Sequence, residues 1–330
     1  MPTTHFATCP LCEASCGLRV EVEASRVSRV RGDPHDPLSR GYLCPKGVAL
    51  ADLHDDPELV RRPLRKRAGR WHEIGWNEAF DEAAQRLSDL QQQHGRDAVA
   101  TYIGTPTLHS YGAMLTSQVF LEVLRSRNLY TSNSVDALPR LLTSYFLYGS
   151  QALHPLPDLD RARHLLILGA NPVVSNGSIM TSPGCKKRLE AIRDRGGRIV
   201  VIDPRRSETA EVADAHHFIR PGSDALLLLA LLHTLFTESL FSARRVQGFV
   251  LGIDRLRDLV RPFPPEAVSG ATAIPARVIR TLARDFASAE SAVCYGRMGV
   301  STQSFGTLAT WLIDCLNIVT GNLDRPGGAM

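Results

Sequence analysis

Four cysteines near the N-terminus are spaced so that they can bind an inorganic cluster. Cys9, Cys12 and Cys16 lie within one short stretch, and Cys44 follows later in the pattern C-x2-C-x3-C-x27-C. Three thiolates from one loop can hold part of a small cluster, and a fourth must return from a separate segment to complete the site. Four cysteine thiolates are the usual ligands of a [4Fe–4S] cluster. The pattern therefore predicts such a cluster at these four residues.

Two alternatives to the cluster stay open at this point. A structural zinc site also uses four cysteines, but usually as two well-separated C-x2-C pairs or together with histidine. The four thiols can also be unrelated buried residues. The other three cysteines, Cys185, Cys294 and Cys315, lie in apolar or helical patterns and are predicted to be packing residues.

The segment between the ligands must fold back so that the fourth cysteine can reach the first three. Val20, Val22, Val27 and Val30 alternate with polar residues, which is typical of two short strands in a hairpin. We therefore expect a small β-rich domain around the cluster.

The middle of the chain has the order strand, helix, strand. An apolar run at 165–168 ends in Gly169, a helical pattern follows at 185–194, and a second apolar run at 199–202 ends in Asp203. This order predicts parallel pairing and a doubly wound α/β sheet. A third loop, 220–224, precedes an apolar run that begins at 225 and suits a buried helix.

Ligands of such sheets bind outside the carboxyl ends of the strands. Glycine lets the backbone approach a phosphate, an acidic residue after a strand can bond ribose hydroxyls, and a helix N-terminus can hold an anion or a polar base edge. The predicted dinucleotide-binding residues are Gly169, Ala170, Asn171, Pro172, Asp203, Arg205, Gly222 and Asp224. The sequence has no G-x-G-x-x-G, so a nicotinamide cofactor has little support. Alternatively, Asp203 and Asp224 only cap and connect their loops.

Composition excludes several classes of protein. The 330 residues carry a net charge of +4 and no long basic block, which argues against a nucleic-acid binder. The longest apolar run, 225–236, is too short to span a membrane. No signal peptide is recognisable, so a cytoplasmic location is expected. Disulfides are rare in that compartment, which favours metal binding by the clustered cysteines.

Six segments resemble one known family, the molybdopterin oxidoreductases that bind a bis-(molybdopterin guanine dinucleotide) cofactor, such as formate dehydrogenases and nitrate reductases. The segments run in the family's order from residue 9 to residue 328. They read CPLCEASCGL, VRGDPHDPLSRGYLCPKG, RPLRKRAGRWHEIGWNEAFDEAAQRL, LGANPVVSN, IVVIDPRRSETAEVADAHHFIRPGSDALL and TGNLDRPGG.

The resemblance implies an oxidoreductase that passes electrons between a molybdenum or tungsten bis-pterin centre and the [4Fe–4S] cluster. It implies that the three loops bind the guanine dinucleotide, that Lys46 relays electrons between cluster and pterin, and that Arg140 is catalytic. It also implies a small-molecule substrate and an electron-carrier protein or subunit as partners. The substrate class is not implied.

The resemblance also implies a domain order. A cluster domain is expected at 1–60, a first α/β domain at 61–138 together with 290–330, and a Rossmann-like dinucleotide-binding domain at 139–289. A helix at 77–94, capped by Asn77, would belong to the first α/β domain. Family members are about twice as long, so the chain is expected to be truncated at its C-terminus, either as a fragment or with another chain supplying the missing half.

One position departs from the family pattern. Many members have a cysteine or selenocysteine metal ligand shortly after an arginine. The best match of this segment to the family pattern puts Leu142 at that position, and leucine has no donor atom. Either the metal has no protein ligand, or Thr143 or Ser144 supplies an oxygen. No histidine directly follows Leu142, which weakens the case for formate oxidation. A non-catalytic iron–sulfur electron-transfer or assembly subunit, or an inactive fragment, is therefore the alternative function.

Overall fold

The computed structural model describes residues 2–242 and 248–330, and the chain divides into two compact units, 1–132 and 133–330. The strands of the first unit are β1 (Thr3–Thr8), β2 (Gly17–Glu23), β3 (Arg26–Gly32), β4 (Leu64–Arg67), β5 (Arg70–Glu73), β6 (Thr101–Ile103) and β7 (Leu129–Thr131). Its helices are α1 (Pro45–Val48), α2 (Leu50–Asp55), α3 (Trp76–His94) and α4 (Tyr111–Leu124).

The N-terminal part of the first unit is the expected β-rich domain. Strands β1, β2 and β3 form an antiparallel sheet in chain order. Val20 pairs with Val30 and Val22 with Val27, which confirms the predicted hairpin. The register shifts between Glu21 and Val22, so the hairpin contains an irregularity that the alternation alone did not indicate.

The rest of the first unit has two separate two-stranded sheets and two long helices. Strands β4 and β5 form a hairpin, and β6 and β7 form a parallel pair. Helix α3 begins one residue earlier than expected, with Gly75 rather than Asn77 at the N-cap, and ends before Gly95, whose φ is +87°. None of the α3 side chains is buried, and α4 buries only Leu124. These helices therefore add little to a hydrophobic core.

The second unit contains the larger sheet. Its strands are β8 (His164–Leu168), β9 (Arg198–Ile202), β10 (Ala215–His217) and β11 (Ala292–Gly296). Its helices are α5 (Leu138–Tyr148), α6 (Pro172–Ser175), α7 (Cys185–Asp194), α8 (Glu208–Val212), α9 (Asp224–Thr237), α10 (Ile253–Val260), α11 (Pro265–Thr272), α12 (Ala276–Ser288), α13 (Met298–Ser301) and α14 (Gly306–Val319).

The four strands of the second unit are all parallel, in the order β10-β9-β8-β11. Successive side chains of β8 point to opposite faces, as the pleat requires. Leu166 and Leu168 pack with residues of α9, α12 and α14, whereas Leu165 and Ile167 pack with residues of α7. Helices therefore cover both faces, which confirms the predicted doubly wound α/β fold.

The position of β11 bears on the predicted domain boundaries. The resemblance placed residues 290–330 in one domain with residues 61–138. In the structure, every residue of β11 pairs with β8, and both strands lie inside the second unit. The division into three family domains stays a prediction. Within residues 2–242 and 248–330, no helix is both long enough and apolar enough to span a membrane.

Candidate cluster and cofactor sites

The four N-terminal cysteines lie on two segments of the first unit. Cys9, Cys12 and Cys16 are in the loop between β1 and β2, and Cys44 is the N-cap of α1, with Pro45 as the first helical residue. Cys9 and Cys16 are buried, and Cys12 and Cys44 are half-buried. All seven cysteines of the chain are free thiols. The cysteine loop closes on itself, because the Cys9 N–H donates to the Cys16 carbonyl at 2.8 Å.

A polar contact ties the two ligand segments together. The Ser39 hydroxyl accepts from the Gly17 N–H at 3.1 Å and donates to Asp36 Oδ2 at 2.6 Å. A Cβ on Gly17 would lie 2.5 Å from the Asp36 Cβ, so only glycine allows this approach. The chain that leads to Cys44 is thereby held against the residue after Cys16.

The thiols of this site influence one another electrostatically. Burial, together with the neighbouring Cys9, Cys12 and Cys44, raises the pKa of Cys16 to about 11. Burial also raises the pKa of Cys9, while the positive charge of Lys46 lowers it. Four thiolates crowded together need positive charge to stay deprotonated, and iron supplies that charge when a cluster binds.

The donor set fits a cluster better than a single ion. All four candidate donors are cysteine sulfurs, and the described parts of the chain place no group of three His, Cys, Asp or Glu side chains on one ion position. Four cysteine thiolates, each binding a different iron, are the usual ligands of a [4Fe–4S] cluster. Lys46 is exposed and follows Cys44 by two residues. Its proposed relay role stays a prediction.

The predicted dinucleotide loops meet at one edge of the second unit's sheet. Asn171 begins α6 after β8, and its side chain donates to Glu208 Oε2 at 2.7 Å. Its Oδ1 accepts from the Thr209 hydroxyl at 2.8 Å. Arg205, after β9, forms an ion pair with the same Glu208 carboxylate at 3.2 Å. These contacts connect the loops after β8 and β9 through α8.

The structure requires a glycine at position 169 for a reason that its position at the end of a strand did not indicate. Its φ is +51°, and a Cβ there would lie 2.8 Å from the backbone of Gly299 and Val300. The Gly299 N–H donates to the Gly169 carbonyl at 2.8 Å. The segment that follows β11 therefore lies at the same edge of the sheet as the three predicted loops. Ala170 and Pro172 beside it are buried.

The acidic residues of the edge lie near each other. The Asp203 carboxylate accepts from the Arg205 N–H at 2.8 Å, which fixes the turn after β9. Asp224 is 4% exposed at the start of α9, and Gln303 Nε2 donates to its Oδ2 at 2.9 Å. Burial raises the pKa of Asp224, and the charge of Asp203 raises it further. Gly222, with φ of +83°, has open space where a Cβ would point.

This edge fits a nucleotide in its chemistry. It presents two carboxylates, which can accept hydrogen bonds from sugar hydroxyls or a base, beside the N-terminus of the fourteen-residue helix α9. The same carboxylates also order their loops, so both interpretations drawn from the sequence stay open for Asp203 and Asp224. Their contacts to a cofactor stay a prediction.

Arg140 lies on α5 and is buried in an ion pair. Its guanidinium forms a two-pronged contact with Asp314 on α14, with Nη1 2.8 Å from Oδ1 and Nη2 on Oδ2. The Tyr148 hydroxyl donates to the same Asp314 Oδ2 at 3.1 Å. Burial raises the pKa of the Tyr148 phenol well above its usual range, and Asp314 adds to this. The predicted catalytic role of Arg140 stays a prediction.

The hydroxyls that were considered as metal ligands have partners inside the protein. Thr143 and Ser144 are buried, and the Thr143 hydroxyl donates to the Thr307 carbonyl at 3.4 Å. Ser144 Oγ accepts from Arg140 Nε at 3.3 Å and lies 3.0 Å from His154 Nδ1. Leu142 is half-buried. The two hydroxyls are therefore engaged within the protein, and whether the metal has a protein ligand stays open.

Four residues of these sites were missed in the sequence: Glu208, Gln303, Asp314 and His154. Glu208 and Gln303 lie in segments with no recognisable ligand pattern. One feature of the sequence indicated that Asp314 has a partner: it is a lone acidic residue within the apolar helix pattern WLIDCLNIV. Buried acids are usually paired, so that signal pointed to a partner without identifying it. His154 lies in the loop that follows α5 and contacts Ser144 of that helix, which no pattern in the sequence indicated.

The chain matches two family models that together cover most of its length. Residues 3–55 match the molybdopterin oxidoreductase Fe4S4 domain, and residues 60–330 match the molybdopterin oxidoreductase model. The first match contains all four clustered cysteines, and the second contains the dinucleotide loops and α5.

Similar proteins of known function include formate dehydrogenase H of Escherichia coli, 27% identical over 325 residues, and the periplasmic nitrate reductase of Desulfovibrio desulfuricans, 27% identical over 337 residues. The alignments cover 96% and 97% of this chain but 44% and 43% of those proteins. The acetylene hydratase of Pelobacter acetylenicus has the same fold, with a TM-score of 0.80 at 22% identity, over 98% of this chain and 44% of that one. The chain thus spans less than half the length of these relatives.

Proposed function

Because the chain belongs to the molybdopterin oxidoreductase family, we propose that it forms part of an enzyme that passes electrons between a metal–pterin centre and a [4Fe–4S] cluster. The family's cofactors are the predicted ones, a [4Fe–4S] cluster and bis-(molybdopterin guanine dinucleotide) with molybdenum or tungsten. The observation that carries the proposal is that Cys44 lies close to the Cys9–Cys16 loop. The thiols are near enough to raise the pKa values of Cys9 and Cys16.

Each group of residues has a proposed task. Cys9, Cys12, Cys16 and Cys44 hold the cluster, and the charge of Lys46 stabilises its reduced form. The loops at Asn171, Asp203 and Asp224 bind and orient the guanine nucleotide of the pterin. The metal–pterin group supplies the two-electron chemistry when it is bound, while the chain's own residues orient it and set its electrostatic environment.

The proposed partners are a small-molecule substrate and an electron-carrier protein or subunit. The named relatives act on formate and nitrate, and either is a candidate substrate by analogy only. We also propose a second polypeptide as a partner, similar to the part of the relatives that does not align with this chain. We propose a cytoplasmic location, which the seven free cysteines support.

A second function is favoured by one observation. Leu142 has no donor atom, and the neighbouring hydroxyls of Thr143 and Ser144 are engaged within the protein. A chain that lacks a working metal site can still carry electrons through its cluster or take part in assembly. The alternative is therefore a non-catalytic iron–sulfur subunit.

Elemental analysis separates the two functions. The protein is purified without oxygen, its metals are counted, and nucleotide is released with acid. The enzyme predicts about four irons per chain together with molybdenum or tungsten and a guanine nucleotide. Iron alone would favour the non-catalytic subunit. A folded protein with zinc and no iron would contradict both.

A further inference from the structure

Helix α5 has two opposite faces with different environments. Arg140, Ser144 and Tyr148 are four residues apart and share one face, because four residues complete about one helical turn. Position 142 lies about 200° around the helix from position 140. That opposite face carries Leu138, Leu142 and Phe146. Leu138 and Phe146 are exposed, and Leu142 is half-buried. Helix α5 thus has a polar inner face and an apolar outer face.

The inner face is fixed to α14 by a set of contacts that we call the α5 lock, formed by Arg140, Ser144, Tyr148 and Asp314. The Asp314 side chain is 2% exposed and contacts both Arg140 and Tyr148. The planar guanidinium and carboxylate meet through two parallel contacts, a geometry that restricts rotation as well as distance. Helix α14 in turn is deeply buried beside β11 and α9.

The lock is extended from α5 to the loop that follows it. Arg140 Nε can only donate, so Ser144 Oγ accepts a hydrogen bond from it. The hydroxyl hydrogen of Ser144 is then available to donate to His154 Nδ1. This arrangement uses the His154 tautomer with its hydrogen on Nε2. Burial lowers the pKa of His154, and the charges of Arg140 and Arg297 lower it further, so the neutral ring is the stable partner of Ser144.

The cavity beside the lock is too small to be a substrate site. It is lined by Arg140, Arg297 and Asp314 among others and has a volume of about 20 Å³, which is room for about one water molecule. Arg297 on its border is itself paired with Asp136 at 2.8 Å. The charged groups therefore serve each other and the helix, and no ligand is needed to balance them.

We propose that Asp314 is a positioning residue: through Arg140 and Tyr148 it orients α5 so that Leu142 faces the metal–pterin centre as an apolar wall. A metal bound there would take no ligand from α5, because leucine has no donor atom. This inference rests on the proposed function, because it needs a metal–pterin centre beside the outer face of α5. Arg140 also acts as a positioning residue in this arrangement.

The test places a donor at the inferred position. In the intact, metal-loaded protein, Leu142→Cys is expected to add one sulfur neighbour to the metal, measured by X-ray absorption at the molybdenum or tungsten edge. Adding Asp314→Asn to Leu142→Cys is expected to remove most of that added sulfur signal while the metal content per chain stays constant. A merely structural role for Asp314 would lower iron, metal and folded yield together.

Matched variants complete the test. Glu238→Gln removes a surface carboxylate that pairs with Arg284 at 2.6 Å and should leave the added sulfur unchanged. If Asp314→Asn folds poorly, Arg140→Lys keeps the charge, loses the two-pronged contact and should give the same spectral loss. Bound metal without an added sulfur in Leu142→Cys, or an added sulfur that survives both lock variants, would overturn the inference. A protein without molybdenum or tungsten overturns the proposed function and this inference with it.

Discussion

Cys44 is the residue on which closure of the cluster site depends, because it alone comes from the second ligand segment. Cys44→Ala should abolish the visible absorption of the cluster and lower the iron content from about four per chain to near zero. The measurement is an absorption spectrum with iron analysis on oxygen-free protein. Cys185→Ala, at a buried cysteine of α7, is the control and should keep the colour. Full colour in Cys44→Ala would contradict the ligand assignment.

His164 makes stability depend on pH. His164 is 3% exposed and packs edge-on against Phe286, and no described residue bonds its Nε2. Burial lowers the pKa of the ring from 6.5 to about 4. The unfolded chain therefore binds a proton between pH 6.5 and 4 that the folded chain does not bind. Stability from this group is complete above pH 6.5 and falls by up to about 3 kcal/mol as the pH approaches 4.

Urea unfolding at a series of pH values measures this effect. The comparison variant His164→Leu removes the titrating ring and keeps an apolar side chain. The difference in unfolding free energy between the two proteins should shrink or invert as the pH falls from 7 to 4. Parallel pH curves for the two proteins would show that His164 does not titrate in this way.

Residues whose roles depend on local spacing could be predicted from the sequence, and residues paired over long distances could not. The four cysteines and the glycine and aspartate loops stand in recognisable patterns. Arg140 and Asp314 are 174 positions apart, and nothing near either residue indicates the other. The assignment of Arg140 as catalytic rested on the family resemblance, whereas the structure shows it in a buried ion pair.

At the scale of elements, the contact between the turns after β8 and β11 can be tested. Gly169→Ala would place a Cβ 2.8 Å from the Gly299 backbone at a φ of +51°. Strain at positive φ and overpacking together should cost about 2–4 kcal/mol of unfolding free energy. Gly222→Ala is the matched control, since its φ is also positive but its Cβ meets open space. Equal losses in the two variants would show that the close approach does not matter.

Elements with strong periodicity were predicted well. The four segments expected at 165–168, 185–194, 199–202 and 225–236 lie within one residue of β8, α7, β9 and α9, because buried parallel strands and apolar helices have strong signals. The short elements α6, α8 and β10 in the same region were not predicted. The start of α3 was misplaced by one residue, since Gly75 rather than Asn77 caps it. The place of β11 beside β8 could not be read from the sequence, because strand order depends on contacts between segments far apart in the chain.

At the scale of the whole molecule, α4 presents an apolar stripe. Tyr111, Leu115, Val119 and Val123 are spaced four residues apart and are 62–84% exposed. A stripe of this kind is typical of an interaction surface. We expect the chain alone to bind a hydrophobic dye, and we expect the second polypeptide proposed above to suppress that binding.

Variants of the stripe make this expectation specific. Leu115→Glu combined with Val119→Glu should reduce dye binding and weaken co-purification with the second polypeptide. Glu122→Lys changes a charge on α4 outside the stripe and should alter neither result. Unchanged co-purification of the double variant would show that α4 does not take part in the interface.

The position of β11 next to β8 affects how the chain folds during its synthesis on the ribosome. All four clustered cysteines have been made by residue 44, whereas β8 lacks one neighbour until residue 296. At about 5–20 residues per second, the ribosome needs roughly 10–50 s to cover that interval. The proposed cluster ligands can therefore receive iron before β11 joins the sheet, whereas the proposed nucleotide site is incomplete until β11 has been made.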